Sequence, residues 1–171
     1  MYKYGLVLAV FSPLVIFPGL AVASPSDWWL IFGSGEQPKR QVMYADAISV
    51  ADISSKTAEE AARSVDVVHV FEAEDKPSYV MHRISFQCKA GQYRVEAANA
   101  QMRSGKITAE PTNSHWKPVA RSSMERPYDF VCQAGSRRSN SMIKVGNMSV
   151  TTLADFTKKA LWGPAINTPP K

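Results

Sequence analysis

Cysteine is scarce in this chain, and the two present, Cys88 and Cys132, stand far apart. No C-x-x-C and no Cys/His cluster accompanies them, which argues against a structural metal site. Histidine is scarce too, with only His69, His82 and His115. There is no G-x-S-x-G, no P-loop and no dinucleotide fingerprint. The carboxylates Asp46, Asp52, Asp66 and Asp129 form no recognisable acid–base pair. With no nucleophile or acid–base set, the chain is not expected to be an enzyme, and no cofactor or metal is expected. A dense basic helix and an aromatic ladder with basic flanks are both missing, which excludes a nucleic-acid surface. Internal repeats are absent as well.

What is present begins with one long apolar run. Residues 1–23, MYKYGLVLAVFSPLVIFPGLAVA, carry Lys3, then apolar residues, then Ala21-Val22-Ala23. This is the pattern of a signal peptide with an A-x-A cleavage site, so the mature chain is expected to start at Ser24. The alternative is an uncleaved anchor helix, which Pro13 and Pro18 would interrupt. No cysteine follows the run for lipid attachment. The full chain of 171 residues has a net charge of +5, and cleavage removes one lysine, leaving +4. Such a balance slightly favours acidic partners.

In an exported chain, two cysteines read as one disulfide, Cys88–Cys132, with separate buried thiols as the alternative. Closing so long a loop restricts the unfolded chain by about 4 kcal/mol.

Residues 24–163 read as one domain and 164–171 as a flexible tail. The apolar WWLIFG is a strand, turned at EQPKR. QVMYADAISVADI is a second strand, with Val42, Tyr44, Ile48 and Val50 on one face and Asp46 interrupting it. SSKTAEEAARS reads as a short helix, since Thr57 and Glu60 have capping-box spacing. DVVHVFEA and SYVMHRISFQC alternate as strands. In the latter Val80, His82, Ile84, Phe86 and Cys88 share one face. Gly91 permits a tight turn into the return strand from Tyr93, and KITAE is a sixth strand. SSMERPYDFVC holds a short helix, with Ser122 and Glu125 as a second capping box. GSRRSNS is a polar loop. The last element is an amphipathic helix over MSVTTLADFTKKALWG, with Val150, Leu153, Ala154, Ala160 and Leu161 at helical spacing. The fold class is therefore α+β: a single antiparallel sheet of about six strands, packed with a C-terminal helix that covers one face and held by one disulfide.

His69 and His82 alternate with apolar residues on separate strands. They read first as half-buried histidines with hydrogen-bond partners, and as ligands to a metal or haem iron in the rival reading. Trp28, Trp29, Trp116 and Trp162 read as core and edge packing. Lys89, Arg94, Arg103 and Lys106, near the hairpin, form the candidate binding surface, with Arg137, Arg138 and Lys144 in a late loop.

The chain also resembles the surface-adhesin protein E family of exported Gram-negative bacterial proteins. The resemblance rests on DWWLIF, MYADAISV, the strand ending ISFQC, the connection HWKPV, and the second cysteine in YDFVC. It covers most of residues 27–133. It implies an antiparallel sheet of about six strands packed with a helix. It also implies a non-enzymatic protein that binds host extracellular-matrix or serum proteins. The missing lipid-attachment cysteine departs from the best-known member and points to a soluble periplasmic or secreted protein. On that reading the alternative function is a periplasmic accessory or inhibitor module that binds an envelope protein.

Overall fold

A computed structural model describes residues 25–53, 61–113 and 115–163. The signal-peptide reading and the tail from residue 164 lie outside the described residues.

The chain forms one antiparallel sheet with two short helices. Its strands are β1 (Trp28–Ser34), β2 (Gln41–Asp46), β3 (Ala51–Ile53), β4 (Ala62–Phe71), β5 (Tyr79–Gln87), β6 (Gln92–Gln101), β7 (Ile107–Ala109), β8 (Lys117–Pro118) and β9 (Ile143–Gly146). The helices are α1 (Glu125–Cys132) and α2 (Val150–Phe156). Strand order across the sheet is β7-β6-β5-β4-β2-β1-β9; β3 lies against β4, and β8 against β6.

Among the described residues the sheet has nine strands rather than six, and the breaks have local causes. The expected long second strand breaks at Asp46. Its Oδ1 accepts the backbone N–H of Asp27 at 2.7 Å and of Ile48 at 3.0 Å, and Ser49 Oγ donates to the Asp46 carbonyl at 2.8 Å. This Asx-type turn ends β2 and redirects the chain into β3. Part of the expected helix over 54–64 is strand instead: β4 starts at Ala62 and pairs with β3, Ile53 opposite Ala62. Residues 54–60 lie outside the described residues. The late polar loop gives way to β9, which pairs with β1 at the sheet edge. The Gly91 turn forms as expected, with φ 62°.

Both faces of the sheet are covered over β1, β2 and the first half of β4, so the expectation of one covered face is corrected. The tandem tryptophans show this directly. Trp29 joins Ile31, Met43, Val65, Val67, Ile84 and Phe86 beneath Phe130 and Val131 of α1. Trp28 joins Val42, Tyr44, Val68 and Val70 beneath Leu153 and Ala154 of α2. Residues 42–46 are buried without a break, because both sides of β2 meet a core. Alternation signals one buried face only when the other meets water.

Eight residues including a proline do not make a stable helix alone, so tertiary bonds hold α1. Pro127 lies in its first turn, where the missing N–H costs nothing. The expected capping box does not close across the helix start. Ser122 Oγ instead accepts from the Met124 N–H at 3.1 Å, and Glu125 Oε1 accepts from the Arg121 N–H at 2.6 Å. At the other end, Arg137 Nε donates to the Phe130 carbonyl at 3.0 Å and Arg63 Nη1 to the Val131 carbonyl at 3.2 Å. Two guanidinium groups from outside the helix thus satisfy its last carbonyls. Tyr128 donates to the Cys88 carbonyl at 2.7 Å, and the disulfide Cys88–Cys132 fixes the same corner with Cα atoms 5.5 Å apart.

The second helix is capped by Ser149, whose side chain accepts from the Thr152 N–H. It then widens into a π turn over Thr157–Leu161, closed by the Trp162 N–H donating to the Thr157 carbonyl at 3.2 Å. The widening rotates the stripe: Thr157 is buried, while Ala160 and Leu161, expected in the core, face solvent. Thr157 donates to the Leu153 carbonyl at 2.8 Å, so the buried Tyr44 hydroxyl donates to Thr157 Oγ1 at 2.7 Å.

Two outcomes follow. Replacing both cysteines by serine should lower stability by about 2–4 kcal/mol in urea unfolding, with the far-ultraviolet spectrum of the sheet retained. Tyr44→Phe should cost about 1 kcal/mol in the same assay, through the lost bond to Thr157.

Candidate functional site

An eight-residue helix is about 12 Å long, whereas the ten residues of β4 extend over roughly 33 Å. Helix α1 therefore covers only one end of its face. Under it, β4 and β5 present Val65, Val67, Ile84 and Phe86. Past it, the same face presents His69 and Phe71 from β4 and Val80 and His82 from β5, with no helix above them. Strand register brings these four together, since His69 pairs with Val80 and Val67 with His82. A bulge in β6 opposite Arg83 and Ile84 turns both Val95 and Ala98 toward this face.

The result is an open cleft of about 680 Å³, within the range of small-ligand sites. Its floor is Phe71, Val80, Ala98 and the two imidazoles. Its rim carries Asp75 and Lys76 from the β4–β5 turn, Arg94 from β6, Glu110 after β7 and Lys117 from β8.

His69 is positioned by a chain of bonds. Gln41 Nε2 donates to Ser34 Oγ at 3.0 Å, which turns the amide oxygen toward His69 Nε2, also at 3.0 Å. His69 Nε2 is therefore the protonated nitrogen, and Nδ1 is left to take up a further proton. The His69 and Phe71 rings lie 4.1 Å apart. His82, by contrast, has no protein hydrogen-bond partner among the described residues. Burial lowers the proton affinity of both rings, and for His69 the neighbouring His82 lowers it further, from 6.5 to about 4. At neutral pH the floor of the cleft is uncharged.

The four basic residues of the candidate surface do not form one patch. Lys89 lies in the β5–β6 turn and Arg94 near the start of β6, whereas Arg103 and Lys106 lie in the β6–β7 turn at the other end. The ten residues of β6 separate the two pairs by roughly 30 Å. Arg103 works as a tie. It donates to the carbonyls of Phe71 at 3.1 Å, Glu72 at 2.9 Å, Ala73 at 2.8 Å and Lys76 at 3.2 Å, joining two turns. Arg94 alone of the four lines the cleft. Its guanidinium sits 4.7 Å over the Trp116 ring and its Nε donates to Glu96 at 2.8 Å. The bond from Ser85, with that from Arg94, holds the Glu96 carboxyl below its usual range. In the late loop Arg137 packs against Phe130 and Trp29, and Lys144, which lies in β9, pairs with Asp27 at 3.1 Å. His115 is exposed and outside the cleft.

Among the described residues, no group of three or more His, Cys, Asp or Glu is arranged to hold a metal ion. His69 and His82 do share one face, as their alternation predicts. The cleft above them was hidden in the sequence, because it arises from the shortness of α1 and from the β6 bulge. The nearest sequence signal is histidine standing where an apolar residue would complete the stripe.

No family model, curated protein or solved structure matches the chain. The resemblance to surface-adhesin protein E rests on the quoted motifs alone.

Neutral histidines link stability to pH. The unfolded chain binds protons near pH 6.5, while folded His69 holds off until about 4. Its contribution is therefore complete above pH 6.5 and lost as pH falls toward 4. Between pH 7 and 4.5 the chain should lose about 2 kcal/mol more stability than His69→Gln does, measured by urea unfolding.

Proposed function

We propose that the chain is an exported binding protein without catalytic activity, as the resemblance to surface-adhesin protein E implies. On this reading it holds a protein partner on the open side of its sheet. The observation that carries the reading is the uneven covering of the fold. Two helices seal β1, β2 and the first half of β4 on both faces, while the second half of β4 and the strands toward β7 keep an open cleft with a charged rim. At the sheet edge beside it, Ile107 of β7 is exposed. An open concavity beside a short, unpaired edge suits a macromolecular partner better than a sealed core does.

Export is supported by the Cys88–Cys132 disulfide, which fits an oxidising compartment. No helix among the described residues is long and apolar enough to cross a membrane. The partner class that follows from the resemblance is a host extracellular-matrix or serum protein. A soluble periplasmic accessory or inhibitor acting on an envelope protein would use the same surface.

Surface plasmon resonance against a panel of matrix and serum proteins should show saturable binding. That binding should weaken several-fold as salt rises from low to physiological strength, mainly through the on-rate, and Lys117→Glu should slow association. Failure with every panel member, together with capture of one stoichiometric partner from periplasmic extract, would replace the first reading by the second. Failure of both assays would remove the binding reading.

A further inference from the structure

We propose that the cleft over β4, β5 and β6 is a binding site for a small amphipathic organic anion, an alkyl or aryl chain bearing a carboxylate or sulfonate. Its apolar body would lie on Phe71, Val80 and Ala98, and its head would meet the His69–His82 pair. This goes beyond the protein-binding reading, which uses the rim and the sheet edge.

Three observations carry the assignment. The first is shape: a cleft of about 680 Å³ with an apolar floor, sized for a drug-like or fatty ligand. The second is an imbalance of hydrogen bonding. His69 is fixed from behind by Gln41, and its ring lies tilted against Phe71 with centroids 4.1 Å apart. His82 opens into the same cleft with no protein partner among the described residues. A half-buried ring without a partner keeps a polar group available to a ligand.

The third observation is charge. On the rim, the cations Lys76, Arg94 and Lys117 stand against the carboxylates Asp75 and Glu110, and Arg94 is already paired with Glu96. From β2 the residue facing His69 is the uncharged Gln41, and from β6 Tyr93 adds a phenol. The fixed charges nearly cancel, so they neither attract nor repel an anion strongly. An anionic head brought onto the floor would be left uncompensated unless an imidazole takes up a proton, and both imidazoles are neutral at pH 7. Ligand and proton therefore bind together: the anion raises the proton affinity of the histidines, and protonation strengthens the anion. A cationic head gains nothing from imidazole protonation, which would repel it.

The test is isothermal titration of the full mature chain with decane-1-sulfonate, which stays ionised throughout, at pH 7.5 and 5.5. Affinity should be about tenfold higher at pH 5.5 for each histidine that takes a proton. Titration at pH 6 in two buffers of different ionisation enthalpy should show net proton uptake. The double variant His69→Gln/His82→Gln should keep its near-ultraviolet spectrum and lose the pH gain. Decyltrimethylammonium should bind much more weakly than the sulfonate. Equal affinity at the two pH values, no proton uptake by the unaltered chain, an equal grip on the cation, or no binding of the sulfonate would each overturn the proposal. Proton uptake is read on the unaltered chain, so a variant that fails to fold does not shield the idea. Capture of a protein partner is measured separately, so the two readings can fail independently.

Discussion

The structure depends on how α1 is held. The helix is short, contains a proline, and would not persist alone. It survives because the Cys88–Cys132 bridge, the Tyr128 bond to Cys88 and the guanidinium groups of Arg63 and Arg137 pin it at one end of the sheet. That anchoring does two things. It seals Trp29, Ile84 and Phe86 under Phe130, which supplies the larger share of apolar burial. It also fixes how far the cover reaches. Everything beyond its end on the same face is left to the imidazoles and the residues beside them.

The opposite face is closed differently. There α2 and the π turn after it rely on buried side chains and on side-chain hydrogen bonds, Lys158 to Ser78 and, where the π turn brings a threonine over the sheet, Tyr44 to Thr157. A hydroxyl pair in such a place has little tolerance for slippage, since each oxygen must find its partner away from water. The two faces therefore differ in kind: one is tied covalently and stops short, and the other is packed by side chains.

Much of this was legible in the residues. The alternation in SYVMHRISFQC placed Ile84 and Phe86 inward and His82 with them, and Gly91 marked the hairpin. The cysteine pair followed from an even count in a chain expected to be exported. Other features were not legible, for identifiable reasons. In the sequence Asp46 looks like an interruption within one strand, whereas its side chain builds the turn that ends it. Strand β9 carries exposed residues on an edge and leaves little periodic trace. The helical pattern at 150–161 misplaced Ala160 and Leu161, because a π turn breaks the 3.6-residue period. Lys89 and Lys106 flank the same hairpin in sequence but lie at opposite ends of β6, so the four basic residues stand as two separate pairs. The cleft itself is a product of element lengths, which no local pattern records.

Fold and site meet in the histidine pair. Were α1 longer, His69 and His82 would be core residues; because it ends early, they floor an open cleft in an uncharged state. The account stands or falls on that state. The most direct measurement is a nuclear magnetic resonance titration of the imidazole carbon-bound protons of His69 and His82 in the folded chain. The account predicts that both titrate below the usual 6.5, with His69 near 4. Midpoints at about 6.5 for both rings would contradict it, showing imidazoles bathed in water rather than held on an apolar floor.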